Sequence, residues 1–278
     1  MNHPQLNASL GLIPDSRTKL ISQITSLGIL GIATLATSPL LAQVNLATIQ
    51  DILGDPEDVF IEEQVAQEND DATLGEEIRT EQARTQLAFN NGAAGRMDEN
   101  SAITVGQCIE VEQGAVVASG PANGCIAGFT VGVEGTIYIM SADEEGVGAI
   151  NVLEGQVRLT PTDDPDAAEP ILIDAGQKIT RLTRGAVLQD LLIEQISQEE
   201  YEDFITGPLF RGYQGVLPGQ EKLRDVCNGL FRRRCVAVGS EPLRREPRPI
   251  PQPAPDQPAP KPEVENPIEE GTPVRGLW

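Results

Sequence analysis

The chain has 278 residues, a formal charge of −22 at neutral pH and one histidine, His3. Beyond that position serine triads, cysteine–histidine dyads and histidine-ligated metals are excluded, and the acidity sets the chain against nucleic acid and anionic lipid. Aromatic residues are only 4% of the chain, and Tyr138, Tyr201, Tyr213 and Trp278 are too scattered for the stacking platforms common in sugar-cleaving sites, so no enzyme, cofactor or metal centre is expected, a carboxylate-pair hydrolase being the one remaining catalytic alternative.

Arg17 and Lys19 precede an apolar run from Leu20 to Leu35, and Leu40-Leu41-Ala42 offers a cleavage site before Gln43. That is the layout of a secretory signal peptide. It predicts export to the periplasm, the outer envelope or the medium, with cleavage near Ala42. The mature chain would have no transmembrane span. An uncleaved anchor is the alternative, although the stretch from Leu20 to Ala42 is barely long enough to span and is diluted by polar residues and glycine. No cysteine lies near position 42, which argues against a lipoprotein anchor.

Residues 43–73 form an acidic, weakly patterned segment with one short strand at Val59-Phe60-Ile61. From Leu74 short apolar or alternating runs recur between Gly, Asn, Asp and Pro. They are Ile78, Leu87-Ala88-Phe89, Ile103-Thr104-Val105, Ile109-Glu110-Val111, Ala115 to Ala118, Ile126 to Val133, Thr136 to Met140, Ala149 to Leu153, Gln156 to Leu159, Ile171 to Ile173 and Lys178 to Leu182, with Val187-Leu188 closing the series. Asn90-Asn91-Gly92 and Glu154-Gly155 are the firmest turns. About a dozen strands with few helices predict an all-β, antiparallel sandwich or roll over 74–188, with solenoid-like stacking as the alternative. Residues 43–186 carry 26 acidic and 7 basic side chains, so the negative charge sits in this part of the chain. The densest cluster, Asp163, Asp164, Asp166 and Glu169 around Pro165, has no calcium-loop spacing and reads as a solvated turn.

Cys108, Cys125, Cys227 and Cys235 fall into two close pairs, and export favours disulfides Cys108–Cys125 and Cys227–Cys235 over a zinc site. Residues 189–240 read as a short helical region. Asp190 to Ile196 is amphipathic, Ser197-Gln198-Glu199-Glu200 is a capping-box signature ahead of Tyr201 to Ile205, Gly207-Pro208 stops that helix, and Gln220 to Phe231 is a second helix. Arg232-Arg233-Arg234 could meet a phosphate or an acidic partner, or simply complement the end of that helix. Residues 241–278 hold 11 of the 21 prolines and predict an extended, disordered tail, serving as a spacer or only as an end.

Gly75 to Gln177 resembles the FecR domain, the extracytoplasmic domain of regulators in iron-citrate-type signalling. The resemblance rests on Arg79-Thr80, Leu87-Ala88-Phe89, Asn91-Gly92 and Ser101, then on Val133-Glu134-Gly135-Thr136, Leu153-Glu154-Gly155-Gln156-Val157 and Ala175-Gly176-Gln177, in the family's order and spacing. The layout with Cys108 and Cys125 is similar to stand-alone FecR-domain proteins of cyanobacteria. Glu134 stands where the family has Arg, so no role of that Arg carries over. The motif residues Asn91, Gly92, Gly135, Thr136, Gly155 and Gly176 are expected as turn and strand positions. The resemblance implies an envelope-facing binding role. Only about 19 residues precede the apolar run, short of an anti-sigma segment, and this favours a non-catalytic interaction module over direct control of a sigma factor. An envelope protein or cell-wall component is the expected partner. A structural wall- or matrix-associated protein, and a sensor working with a separate transmembrane regulator, are the alternatives.

Overall fold

Alternation of apolar and polar residues becomes seventeen strands among the described residues of a computed structural model, which are 44–166 and 168–240. The expected export signal over 1–42 and the proline-rich segment over 241–278 lie outside them. The strands are β1 (Leu46–Leu53), β2 (Val59–Ile61), β3 (Gln64–Val65), β4 (Asp71–Thr73), β5 (Glu77–Thr80), β6 (Arg84–Phe89), β7 (Ala94–Met97), β8 (Ala102–Thr104) and β9 (Ile109–Gly120). They continue as β10 (Gly124–Ile126), β11 (Phe129–Val133), β12 (Thr136–Ala142), β13 (Gly148–Glu154), β14 (Gln156–Pro161), β15 (Ile171–Asp174), β16 (Gln177–Leu182) and β17 (Glu194–Gln195). Two helices follow, α1 (Gln198–Thr206) and α2 (Leu223–Phe231).

The strands pair into two sheets that share β9. One runs β4-β1-β6-β7-β9-β12-β13-β16-β17. The other runs β3-β2-β5-β8-β9-β10-β11-β14-β15. Their inner faces meet in one core, to which the first sheet gives Ile49, Leu87, Met97, Tyr138, Met140 and Val152, and the second Ile78, Ile103, Ile109, Val131, Leu159 and Ile173. This is an open β-sandwich.

The pairing is antiparallel except between β9 and β10, where Gly124 and Ile126 lie beside Ile109 and Val111 in parallel. An antiparallel-only sheet was the expectation, and the geometry of β9 explains the difference. Twelve straight residues would span about 40 Å, which residues 121–123 could not retrace. β9 therefore folds over at Gly114, passing from the second sheet to the first. Gly114 has φ +77°, and a Cβ there would lie 2.2 Å from Ser101 Oγ, so only glycine fits.

Other boundaries also differ from expectation. Residues 43–73 hold four strands rather than the one expected at Val59-Phe60-Ile61; β1 lies between β4 and β6, and Ala47 and Ile49 are fully buried. Ile126 to Val133 is a hairpin rather than one strand; Ala127 (φ +51°) and Gly128 (φ +81°) turn the chain between β10 and β11. Val187-Leu188 does not close the sheet: Leu188–Asp190 is a 3-10 turn whose Leu188 plugs the core. Asp190 to Ile196 leads instead into β17, paired to β16.

A second core covers the outer face of the first sheet. Val117, Ile137, Ile139 and Leu153 point outward there, under Tyr201, Ile205, Leu209, Phe210, Leu217, Leu223 and Cys227. Strand β12 is thus buried on both faces, which is why Thr136 to Met140 reads as a continuous rather than alternating apolar run. Helix α1 begins as its capping signature predicts, with Ser197 Oγ accepting from Glu200 N at 3.2 Å. A 3-10 turn, Gln220–Lys222, leads into α2. Tyr201 ties the layer down by donating to the Leu153 carbonyl at 2.7 Å.

Candidate functional site

The residues singled out in the sequence are spread over the molecule. Both expected disulfides are present, Cys108–Cys125 and Cys227–Cys235. The first staples the start of β9 to β10, and the second closes the chain after α2. A trio of potential metal ligands, Glu202, Cys227 and Cys235, holds no thiolate because both cysteines are bridged. Asn91 and Gly92 turn β6 into β7, with Asn91 Oδ1 accepting from Ala93 N and its amide donating to the Pro121 carbonyl. Gly135 precedes β12, where buried Thr136 donates to the Gln156 carbonyl beside the Gly155 turn. Gly176 lies between β15 and β16 against Leu230. Thr80 and Ser101 do meet: Thr80 Oγ donates to the Asp98 carbonyl, and Ser101 N donates to Thr80 Oγ. These residues hold corners of the sandwich and converge on no common site. Glu134, Arg232, Arg233 and Arg234 are exposed, as is the Asp163–Asp164 turn.

The least ordinary group was not legible in the sequence. Arg96, in the middle of β7, is 1% exposed. It sits in a row across the outer face of the first sheet, in which Asp51 pairs with Gln86, Gln86 with Arg96 and Arg96 with Val117. The segment 207–219 crosses over this row and is held by it. Arg96 Nε donates to Gln86 Oε1 at 2.9 Å, one terminal nitrogen to the Leu209 carbonyl at 3.1 Å and the other to the Gly215 carbonyl at 2.6 Å. Its guanidinium stacks 4.2 Å from the ring centroid of Tyr213, with Arg84 at 5.8 Å from that ring. Arg84 donates to the Pro208 and Arg211 carbonyls, Ser119 to the Pro218 carbonyl, and Gln214 N to Asp51 Oδ2. Burial lowers the Arg96 guanidinium to about 10, so it stays charged at neutral pH. Burial also raises the Tyr213 phenol, which stays neutral.

A cavity of about 290 Å³ opens beside this clasp, lined by Gln50, Asp51, Glu68, Asn69, Gln86, Gln214 and Gly215. Gln86, at 4% exposure, links the cavity to Arg96, and its amide nitrogen donates to Gln50 Oε1 at 3.0 Å. A larger cavity of about 400 Å³ at the sandwich end is lined by Glu110, Glu112, Glu145 and Arg184, all exposed. Gln86 in the smaller cleft is buried and locked by Arg96 on one side and Gln50 on the other. The cleft over Gln86 is therefore the candidate site. Its groups are carboxamides and carboxylates, suited to hydrogen bonding. Neither a protein-family model nor a curated protein matches the chain.

Proposed function

We propose that the chain is an exported, non-catalytic binding module of the cell envelope, built on a FecR-like β-domain and presenting the cleft over Gln86 to its partner. The observation that carries this reading is the pair of disulfides. Bridged cysteines belong to oxidising compartments, which agrees with the signal-peptide pattern ahead of Gln43. The cleft is read as a binding site because its carboxamides and carboxylates suit hydrogen bonding, and one Asp51 oxygen is already held by Gln214 N.

Intact mass of the protein recovered from its native envelope tests export, since cleavage near Ala42 and two disulfides each leave a defined mass. Immobilised protein incubated with envelope extract tests binding. The expected result is a retained component that is lost with Gln50→Ala/Asn69→Gly. Retention of nothing above background, or of components indifferent to that variant, would reject the reading.

A further inference from the structure

In a chain with 42 acidic residues, three potential metal ligands converge at one place among the described residues, and two of them are cysteines. Glu202, Cys227 and Cys235 bring a carboxylate oxygen and two sulfurs within 4.8 Å of one another. Both cysteines are buried in the second core, and Glu202 is partly buried at its margin. Zinc with tetrahedral thiolate and carboxylate ligands sets those atoms about 3.5–3.8 Å apart, so small side-chain rotations close the trio onto one ion.

The surrounding groups suit ligation as well as a disulfide. Gln198 and Glu202 lie four residues apart on one face of α1. Gln198 Nε2 donates to Glu202 Oε1 at 2.9 Å and reaches Cys235 Sγ at 3.9 Å. One amide therefore orients the carboxylate and is placed to donate to a thiolate, as the groups behind metal ligands do. The carboxylate keeps lone pairs for an ion. Asn228 Oδ1 accepts from Cys235 N at 2.7 Å and fixes the backbone of the second cysteine. Tyr201 joins the two helices to each other and to the sheet, donating to the Leu153 carbonyl at 2.7 Å with the Leu223 carbonyl at 3.4 Å. The ligand positions thus have supports besides the sulfur–sulfur bond.

We propose that, when the Cys227–Cys235 bond is reduced, Cys227, Cys235 and Glu202 take up one zinc ion, with Gln198 as a positioning residue. An external dithiol supplies the two electrons and two protons that open the disulfide, and is itself oxidised to a disulfide. Zinc displaces the two thiol protons as it binds both sulfurs. An external disulfide reverses the step: it takes the two electrons, with two protons from solvent, the Cys227–Cys235 bond re-forms and the ion leaves. Two thiolates favour zinc over calcium and magnesium, which take oxygen ligands. Either state ties segment 232–240 to α2, by a covalent bond when oxidised and through the ion when reduced. The site is independent of the cleft over Gln86.

The test is a zinc titration of the full exported protein, oxidised and after reduction with a phosphine, in competition with a chromophoric chelator. Cobalt(II) replaces zinc in a parallel titration, because its sulfur-to-metal charge-transfer band reports thiolate ligands. The expected result is one zinc per reduced chain with a Kd of about 1 µM or tighter, and no ion held that tightly by the oxidised protein. Affinity falls roughly tenfold or more in Glu202→Gln and in Gln198→Ala. Binding disappears in Cys227→Ser/Cys235→Ser and persists in Cys108→Ser/Cys125→Ser. Zinc raises the melting temperature of the reduced Cys108→Ser/Cys125→Ser protein, followed by circular dichroism. No binding by the reduced protein, equal affinity in Glu202→Gln, or binding that follows Cys108 and Cys125 overturns the proposal. Zinc that binds without raising the melting temperature also overturns it, because the unfolded chain is then the binder.

Discussion

Replacing Arg96 with alanine measures what the clasp contributes. The substitution removes three hydrogen bonds from a charged donor, to Gln86 Oε1 and to the Leu209 and Gly215 carbonyls, and the stack on Tyr213. Charge-assisted bonds contribute about 1.5–3 kcal/mol each, so the loss is roughly 5–9 kcal/mol. Against it stands relief of a buried cation. The fall of its pKa from the ordinary guanidinium value to about 10 corresponds to about 3 kcal/mol, at about 1.4 kcal/mol per tenfold. That cost is fully present below pH 10 and is relieved only as the group deprotonates above it, so at neutral pH the two effects subtract. The expected net destabilisation is about 4 kcal/mol. Arg96→Lys keeps the charge without the planar fork and should fall between wild type and Arg96→Ala. Urea unfolding of the oxidised protein, followed by circular dichroism, gives the free energies. Hydrogen exchange at residues 209–217 shows whether the crossing segment opens first. A loss below about 1 kcal/mol, or exchange in 209–217 no faster than in wild type, would refute the argument that Arg96 holds this segment.

Further outcomes are expected at the glycine turns, the disulfides and Asp98. Gly114→Ala meets Ser101 Oγ at 2.2 Å and the Asn100 carbonyl at 2.6 Å at a φ of +77°; it should cost more than about 3 kcal/mol in urea unfolding. Gly92→Ala, with a similar φ but open space around it, should cost only about 1 kcal/mol. Cys227→Ser/Cys235→Ser and Cys108→Ser/Cys125→Ser open loops with sequence separations of 8 and 17, and should lower stability by about 2.5 and about 3 kcal/mol respectively in the chain-entropy account. Only the first pair should speed exchange around 228–235. Burial raises the Asp98 carboxyl above its ordinary value, so the folded state holds that proton more tightly than the unfolded chain. The group therefore favours folding at acid pH, and that contribution is lost as pH rises through its folded-state value. Asp98→Asn should raise stability at neutral pH and flatten the acid side of the stability profile; a lower neutral stability would contradict the assignment.

The inner core was legible because it follows the period of a strand. Leu87 and Phe89, Ile109 and Val111, and Val157 and Leu159 each place two apolar side chains on one face, and all six are buried. Turns were legible where glycine marked them. β1 was harder, because Gln50 and Asp51 break its alternation and the pairing with β6 shifts register between Ile49 and Asp51. β9 read as two strands for the same kind of reason: Glu112, Gln113 and Gly114 interrupt the pattern where the chain leaves one sheet for the other. β7 escaped notice because Ala94, Gly95 and Arg96 carry no strand signal, yet all are buried.

Arg96 shows why the candidate site stayed hidden while the scaffold did not. Two of its three acceptors are backbone carbonyls 113 and 119 residues away, and a carbonyl belongs to every residue. No residue type at 209 announces the contact, and at 215 only the absence of a side chain does, since a Cβ there would lie 2.4 Å from Gln86 Nε2. Tyr213 carries the only side-chain signal, as an aromatic in a segment without helical or strand period. Hydrophobic burial leaves a mark at each contributing position, since each must be apolar. A charged side chain satisfied by main chain marks one position alone, and that position looks like surface. The sheet could be read from the periodicity of its members, whereas the clasp depends on where the first sheet meets the segment that crosses it. The cleft over Gln86 exists only because that crossing fixes one amide. Its chemistry is therefore a property of the assembled fold, and Gln50, Asn69 and Gln214, unremarkable in sequence, gain their role from being brought to the same rim.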